Sequence, residues 1–280
     1  MNMLHTAPTP SIRVAGRLMS FEKPKIMGIL NVTPDSFYDG GQHHTVEAAL
    51  KKAEQLLLDG ADILDIGAYS SRPGAPMISA QEEIDRAIPA VEAIVKRFPE
   101  AILSIDTFRA AVADATVKAG AHLINDVSGG TIDPQMFQTV AQLQVPYILM
   151  HMRGIPENMQ EMTEYTDIVT DVATFLAEKV AELRSLAVKD IILDPGYGFA
   201  KTITQNYELL HRVAELHYLG LPILGGISRK SMIYKKLNIT AQDALIGTAA
   251  LNTLLLSHGV QLLRVHDVKE CKQIINLLFT

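Results

Sequence analysis

Residues 101–126 read Ala101-Ile-Leu-Ser-Ile-Asp-Thr-Phe-Arg-Ala-Ala-Val-Ala-Asp-Ala-Thr-Val-Lys-Ala-Gly-Ala-His-Leu-Ile-Asn-Asp126. A short apolar run ends in Asp106, a helical stretch comes next, and a second short apolar run ends in Asn125-Asp126. Runs of this kind recur at 26–30, 63–66, 101–105, 122–124, 147–150, 191–193, 223–224 and 262–265. They lack in/out alternation, which is the signature of strands in a parallel sheet covered on both faces. Helical periods lie between them. Val46, Ala49, Leu50, Ala53, Leu56 and Leu57 share one helical face, as do Ile84, Ala87, Ile88, Val91, Ile94 and Val95. Ser79 with Glu82, and Thr240 with Asp243, have the spacing of capping boxes that open helices.

Such a pattern admits a doubly wound sheet or a closed barrel. The count of eight runs and a final helical segment at 268–278 favour an α/β fold of the (β/α)8 TIM-barrel type. Ahead of the first run, residues 12–21 read as two short strands around Ala15-Gly16, a β-hairpin expected to close the barrel floor. The expected organisation is an N-terminal extension and hairpin over 1–25 and a single barrel domain over 26–280.

Composition narrows the function classes. The chain has 280 residues, 48% of them hydrophobic, and a net charge of −6, which argues against a general nucleic-acid surface. Its single cysteine, Cys271, excludes an intrachain disulfide, fits a reducing compartment and reads as a small buried hydrophobe rather than a nucleophile. Neither a signal-peptide core nor an apolar run of membrane-spanning length is visible, so a soluble cytoplasmic protein is expected, with neither nucleic acid nor membrane as partner.

The chemistry lies in the residues at the end of each run. In order, the runs lead to Asn31, Asp65, Asp106, Asn125-Asp126, His151, Asp194, Ser228-Arg229-Lys230, and Arg264 with His266. In a barrel these positions form the catalytic mouth. Plainer roles compete at several of them: Asp65 and Asp126 bonding turn amides, Asp106 capping the next helix, Asp194 shaping the turn at Pro195-Gly196, His151 as a structural partner. Lys230 stands apart, because an ammonium delivered beside Asp106 and Asp194 would complement their charge. Two linkers, 32–41 and 67–75, are rich in Gly and Pro and suit loops that close over a ligand, with Arg72 carrying a cation to it. Carboxylates with an amide can grip a flat heterocycle bearing N–H groups, while Arg72, Lys230, Arg264 and His266 supply donors for an anion such as phosphate. No Ser–His–Asp set, zinc-spaced cluster, Walker loop or dinucleotide fingerprint competes.

The motifs Met27-Gly-Ile-Leu-Asn-Val-Thr-Pro-Asp-Ser-Phe-Tyr-Asp-Gly-Gly41, Ser70-Ser-Arg-Pro-Gly-Ala75, Ser104-Ile-Asp-Thr107, Asn125-Asp126, Met150-His151-Met152, Leu193-Asp-Pro-Gly-Tyr-Gly-Phe199, Ser228-Arg-Lys-Ser231 and Arg264-Val-His-Asp267 occur in that order. In them the chain resembles the dihydropteroate synthase family of the folate pathway. The resemblance implies a transferase that condenses 6-hydroxymethyl-7,8-dihydropterin diphosphate with 4-aminobenzoate, giving 7,8-dihydropteroate and diphosphate. It implies Asp106, Asn125, Met150, Asp194 and Lys230 around the pterin, and Arg72, Arg264 and His266 on the diphosphate. It places Phe37, Ser71, Pro73, Phe199, Lys230 and Ser231 around the aminobenzoate. Lys230, Asp106, Asp194, Asp39 and Arg72 would be catalytic, with Asn31 placing a magnesium ion, and the protein would be a homodimer and a sulfonamide target. Tyr38, the segment Ala68-Tyr-Ser-Ser71 and Gly225 depart from the usual family pattern, and none of them touches the expected pterin grip. The competing expectations are a methyltetrahydrofolate-dependent methyltransferase barrel, which would not need the diphosphate cations, and a non-catalytic pterin-binding paralogue, which would have lost a loop or a catalytic residue.

Overall fold

The computed structural model describes residues 10–32, 41–69 (backbone alone for 41–45), 78–155 and 158–279. An antiparallel pair, β1 (Ser11–Val14) and β2 (Arg17–Ser20), precedes eight parallel strands. These are β3 (Lys25–Asn31), β4 (Ile63–Gly67), β5 (Leu103–Asp106), β6 (Leu123–Asp126), β7 (Tyr147–Met150), β8 (Ile191–Asp194), β9 (Leu224–Gly225) and β10 (Leu262–Val265). Their hydrogen-bonded order is β8-β7-β6-β5-β4-β3-β10-β9. A parallel bridge between Leu193 and Ile223 joins the two ends, and the Leu193 N–H donates to the Pro222 carbonyl at 2.8 Å. The sheet therefore closes on itself, which settles the barrel over the open doubly wound alternative.

The outer layer is formed by α1 (Gly41–Leu58), α2 (Ala80–Arg97), α3 (Ala110–Lys118), α4 (Met136–Leu143), α5 (Ile168–Ser185), α6 (Ile203–Arg212), α7 (Ser231–Leu237), α8 (Leu245–Ser257) and α9 (Val268–Leu278). Every residue of β4 to β8 is buried, as expected of strands with helices outside and side chains inside. The helical faces read from the sequence turn inward: Ala49, Ala53 and Leu56 of α1, and Ala87, Val91 and Ile94 of α2, join the main core.

A second apolar cluster fills the barrel's N-terminal end. It takes one residue from each barrel strand or its edge, namely Met27, Ile63, Ile102, Leu123, Ile148, Ile192, Leu224 and Leu262. Ile12, Val14, Met19 and Phe21 from the hairpin and its exit complete it. The hairpin is thus the floor's lid, built by the alternation in β1, where Ile12 and Val14 point in and Ser11 and Arg13 point out. Its two-residue turn has positive φ at both Ala15 (50°) and Gly16 (73°), the handedness that matches the twist of paired strands.

Several local expectations are modified. Ser79 does cap α2, accepting from the Glu82 N–H at 3.1 Å. Thr240 and Asp243 do not open a helix. The Thr240 hydroxyl donates to the Asp243 carboxylate at 2.6 Å in a turn ahead of α8, whose cap is Ala244. A reciprocal capping box opens α6 instead, between Thr202 and Gln205. Asp106 is not a cap either: α3 starts at Ala110, whose N–H donates to Asp133 at 2.7 Å. Of the leucines at 254–256, Leu255 and Leu256 are core and Leu254 lies at the surface. Cys271 is buried, and burial pushes its thiol up to about 12, so it is a packing residue.

The floor cluster predicts a large penalty for opening it. Phe21→Ala should destabilise the fold by about 3–5 kcal/mol, measured by chemical denaturation.

Candidate active site

The strand register assembles the mouth. Asn31 pairs with Gly67, Gly67 with Asp106, and Asp106 with Asn125, so four neighbouring strands end in one row. Gly67 supplies the gap in that row, since a Cβ there would come within 3.1 Å of Asn31 Oδ1 and 3.9 Å of the Asp106 carboxylate. One layer deeper on β4 lies Asp65, fully buried. Its Oδ2 accepts from Asn125 Nδ2 at 3.1 Å and from Arg264 Nε at 2.6 Å. Arg264 Nη2 then reaches Asp106 Oδ2 at 2.7 Å, so one guanidinium bridges two carboxylates. The Tyr69 hydroxyl donates to the other Asp106 oxygen at 3.3 Å.

Asp194 and Lys230 make the opposite corner. Asp194 ends β8 beside Met150, its register partner, and accepts from the Gly196 N–H at 2.7 Å. Gly226 separates the pair closely: a Cβ there would lie 3.7 Å from Asp194 Oδ2 and 4.0 Å from Lys230 Nζ. Lys230 donates to the Tyr197 carbonyl at 2.5 Å, and its ammonium sits 4.5 Å from the centroid of the Phe199 ring. Ser231 comes directly after it as the first residue of α7. At the rim, the Ser228 hydroxyl contacts His266 Nδ1 at 2.9 Å, and Arg229 forms a two-pronged pair with Asp267 at 2.9 and 2.7 Å.

Burial sets the protonation states. It pushes Asp106 up to about 7 despite the opposing pull of Arg264, with the Asp65 charge adding to the rise. Burial also raises Asp194, opposed by Lys230. It lowers Lys230 to about 8, against the attraction of Asp194 and with Arg264 repulsion adding to the fall. The mouth thus holds groups poised near neutrality, the arrangement that marks a reactive site.

Of the residues singled out in the sequence, Asn31, Asp106, Asn125, Met150, Asp194, Phe199, Lys230, Ser231, Arg264 and His266 all lie at the barrel's C-terminal end. Phe37, Asp39, Ser71, Arg72 and Pro73 fall outside the described residues. Arg264, expected with His266 at the diphosphate, is engaged in this structure by the floor carboxylates, because it points into the barrel two residues below His266. Asp126 is a support: its oxygens accept from the Ser128 and Gly130 N–H groups and from the Tyr147 hydroxyl.

Sequence reasoning missed or underrated three participants. Asp65, a mouth residue for which a turn role competes in the sequence, anchors both Asn125 and Arg264. Tyr69 reads as a departure in a loop, yet bonds Asp106 and packs edge-on to Phe108 at 5.1 Å. Lys201 is buried, with Nζ at 2.9 and 3.1 Å from the Gly196 and Phe199 carbonyls and 3.0 Å from His151 Nδ1. Through these three contacts Lys201 and His151 together brace the loop that carries Phe199 and the Tyr197 carbonyl. Nothing local marks it, since a lysine just before a helix cap ordinarily faces water.

The mouth, with its Asp/Asn floor and cationic groups, has the inventory of an enzyme site, and comparison with known proteins gives its class. The chain belongs to the pterin binding enzyme family, whose model matches residues 27–266. More particularly, it is 43% identical over 257 residues to the dihydropteroate synthase of Escherichia coli (strain K12), covering 91% of this chain and 90% of that protein. Among solved structures, the dihydropteroate synthase of Yersinia pestis in a sulfonamide drug complex superposes with a TM-score of 0.89 at 42% identity, covering 96% of this chain and 98% of that one. That of Xanthomonas albilineans with 4-aminobenzoic acid gives 0.89 at 39% identity, covering 96% and 97%.

The bridging guanidinium predicts a pH-dependent defect. Arg264→Gln should cost about 3–5 kcal/mol at pH 7.5, because two buried carboxylates lose their counter-charge. Asp106 has its folded pKa raised above the unfolded value of about 4, so its stabilising contribution is full below that value and fades as pH rises through about 7. Denaturation at pH 6 should therefore recover part of the loss.

Proposed function

We propose that this chain condenses 6-hydroxymethyl-7,8-dihydropterin diphosphate with 4-aminobenzoate, releasing 7,8-dihydropteroate and diphosphate. The observation that carries the reading is the single mouth that gathers Asp106 and Asn125 in one row and Asp194 with Lys230 opposite, in a chain that is 43% identical to a dihydropteroate synthase. Such carboxylates accept hydrogen bonds from ring and amino N–H groups of a pterin, and Asn125 supplies both a donor and an acceptor. Met150 would cover the ring from the end of β7. Lys230 donates towards the ring while its charge balances Asp194.

The reaction breaks the C–O bond to diphosphate and forms an N–C bond to the arylamine, which then sheds a proton. Negative charge grows on the departing diphosphate, so Arg72 and His266, with the outer edge of Arg264, would stabilise it. Positive charge grows on the pterin methylene, which the neighbouring carboxylates would steady. The amine attacks carbon directly, so neither Cys271 nor a serine need act as nucleophile. Phe37, Ser71, Pro73, Phe199 and Ser231, with the Lys230 stem, would line the aminobenzoate slot, and Asp39 would act from the loop after β3.

Magnesium fits this site only as a companion of the diphosphate. Among the described residues, no group of three or more His, Cys, Asp or Glu is placed to hold a metal. Asn31 offers one amide oxygen at the edge of the row, which suits an ion that takes its other ligands from phosphate and water. When bound, the ion would neutralise developing phosphate charge.

The reading extends to a cytoplasmic homodimer. Its support is the exposed apolar pair Leu237 and Ile246 on the neighbouring helices α7 and α8, together with a lone buried cysteine. Among the described residues, no helix is long and apolar enough to cross a membrane.

Diphosphate release should require both 4-aminobenzoate and magnesium; a folded sample showing no aminobenzoate-dependent release would sink the proposal. In the same assay Lys230→Ala should lose at least about a hundredfold in turnover while its circular dichroism stays native. The pH profile of kcat/KM for the pterin substrate should be bell-shaped. Asp106 must lose its proton for both of its oxygens to accept hydrogen bonds, giving an acid limb near 7, and Lys230 must keep its own, giving an alkaline limb near 8. A flat profile from pH 6 to 9 would contradict these assignments.

A further inference from the structure

Between β8 and α6 the chain turns sharply, with left-handed backbone at Gly196 (φ 73°), Gly198 (φ 82°) and Ala200 (φ 49°). A non-glycine residue rarely takes that conformation, so Ala200 is held there by its neighbours. Such turns leave backbone groups that no helix or strand can pair, and side chains take them up. Asn206 of α6 accepts from the Gly198 N–H at 2.6 Å and donates to the Lys201 and Thr202 carbonyls at 3.2 and 2.8 Å. The Tyr165 hydroxyl donates to the Ala200 carbonyl at 2.8 Å.

Lys201 holds the centre of this loop. Its buried side chain folds back, and Nζ donates to the Gly196 and Phe199 carbonyls at 2.9 and 3.1 Å, closing the intervening residues into a ring. An amino group has at least two N–H donors in either charge state, so these two bonds do not depend on which state it holds. His151 Nδ1, 3.0 Å from the same nitrogen, ties the ring to the end of β7. His151 is itself fixed, since its backbone N–H donates to the Asp194 carbonyl at 2.9 Å and its ring packs edge-on to Phe175 at 5.0 Å.

We infer that Lys201 is a positioning residue for the aminobenzoate side of the mouth. Its two carbonyl bonds, seconded by the Tyr165 hydroxyl, fix the backbone that sets the Phe199 ring beside Lys230. The ring centroid lies 4.5 Å from Lys230 Nζ, and the Tyr197 carbonyl accepts from that nitrogen, so both front groups hang on the segment that Lys201 ties at 196 and 199. The inference rests on the proposed reading of Phe199 as a wall of the aminobenzoate slot. A wall fixed before the ligand arrives spares the cost of ordering it on binding, so the effect falls on aminobenzoate affinity. Asp106 and Asn125 stand on β5 and β6, outside the ring, and their partners are Arg264, Tyr69 and Asp65.

The test uses the full chain labelled with 4-fluorophenylalanine, the Phe199 19F resonance being identified by its loss in Phe199→Leu. Lys201→Met keeps an apolar stem of similar length and has no donor. It should shift or split that resonance and raise the KM for 4-aminobenzoate about tenfold, while kcat and the KM for the pterin substrate change by less than about threefold. Tyr165→Phe removes one hydroxyl and keeps the ring; it should move the same resonance and raise the aminobenzoate KM by about twofold. A folded Lys201→Met with a wild-type Phe199 resonance, or with an unchanged aminobenzoate KM, overturns the inference. So does a fall in kcat with no rise in that KM, which would make Lys201 a support of Lys230 alone. If Lys201→Met does not fold, Tyr165→Phe decides, and an unmoved Phe199 resonance there overturns the inference. The resonance is read without substrate, so a chain lacking aminobenzoate-dependent turnover would defeat the proposed function and leave Lys201 to be decided by the spectrum.

Discussion

The guanidinium of Arg264 lies between Asp65 and Asp106, in a place where each of the three charges would be intolerable alone. Burying a carboxylate without a partner costs several kcal/mol, and here two are buried within reach of one cation. The arrangement holds because the fork of Arg264 presents Nε to one and Nη2 to the other, a geometry that a lysine could not copy. Asn125 is drawn into the same network through Asp65, so the orientation of the floor is set from below. Burial, with the second carboxylate of Asp65 adding to it, keeps Asp106 easy to protonate and ready to be relieved by a ligand bearing N–H groups.

The opposite corner relies on backbone instead of charge pairs. Gly196 must be glycine, because a Cβ would stand 2.0 Å from the His151 carbonyl oxygen and its φ is 73°. Lys201 braces this loop from behind, and Lys230 meets its Tyr197 carbonyl from the front. Two lysines with different tasks are thus separated by one short loop. One is fully satisfied by protein acceptors and can only support. The other has its ammonium beside Asp194 and the Phe199 ring, where a ligand can be held.

These polar networks are possible because the barrel keeps its two ends chemically apart. The eight residues of the floor layer and the hairpin side chains above them are all apolar, and they exclude water from one end of the tube. Stability is therefore concentrated at the end remote from the mouth, and the mouth can carry buried charge and strained backbone such as that at Ala200. The usual division of labour in this architecture comes from that separation.

Much of this was readable without coordinates. Strand and helix periods are local, and the polar residue that ends each apolar run falls at the mouth whenever parallel strands close into a barrel, so Asp106, Asn125, Asp194 and Lys230 could be found from spacing and motif. Partnerships across the barrel could not. Arg264 and Asp65 are 199 positions apart, and only the sheet order that sets β10 beside β3, which in turn pairs with β4, sends Arg264 to the floor carboxylates as well as towards the rim. Lys201 was invisible for a related reason, and Ser228 was visible only as a strand-end residue without its role: their partners are backbone groups and a histidine ring nitrogen supplied by loop conformation, which no residue type encodes. The sequence by itself determined the elements, their order and the chemical inventory of the mouth, because these depend on local periodicity and residue type. Which charge neutralises which, and which loop carbonyls each lysine meets, was decided only by the tertiary structure, because those depend on distances set by the closed barrel.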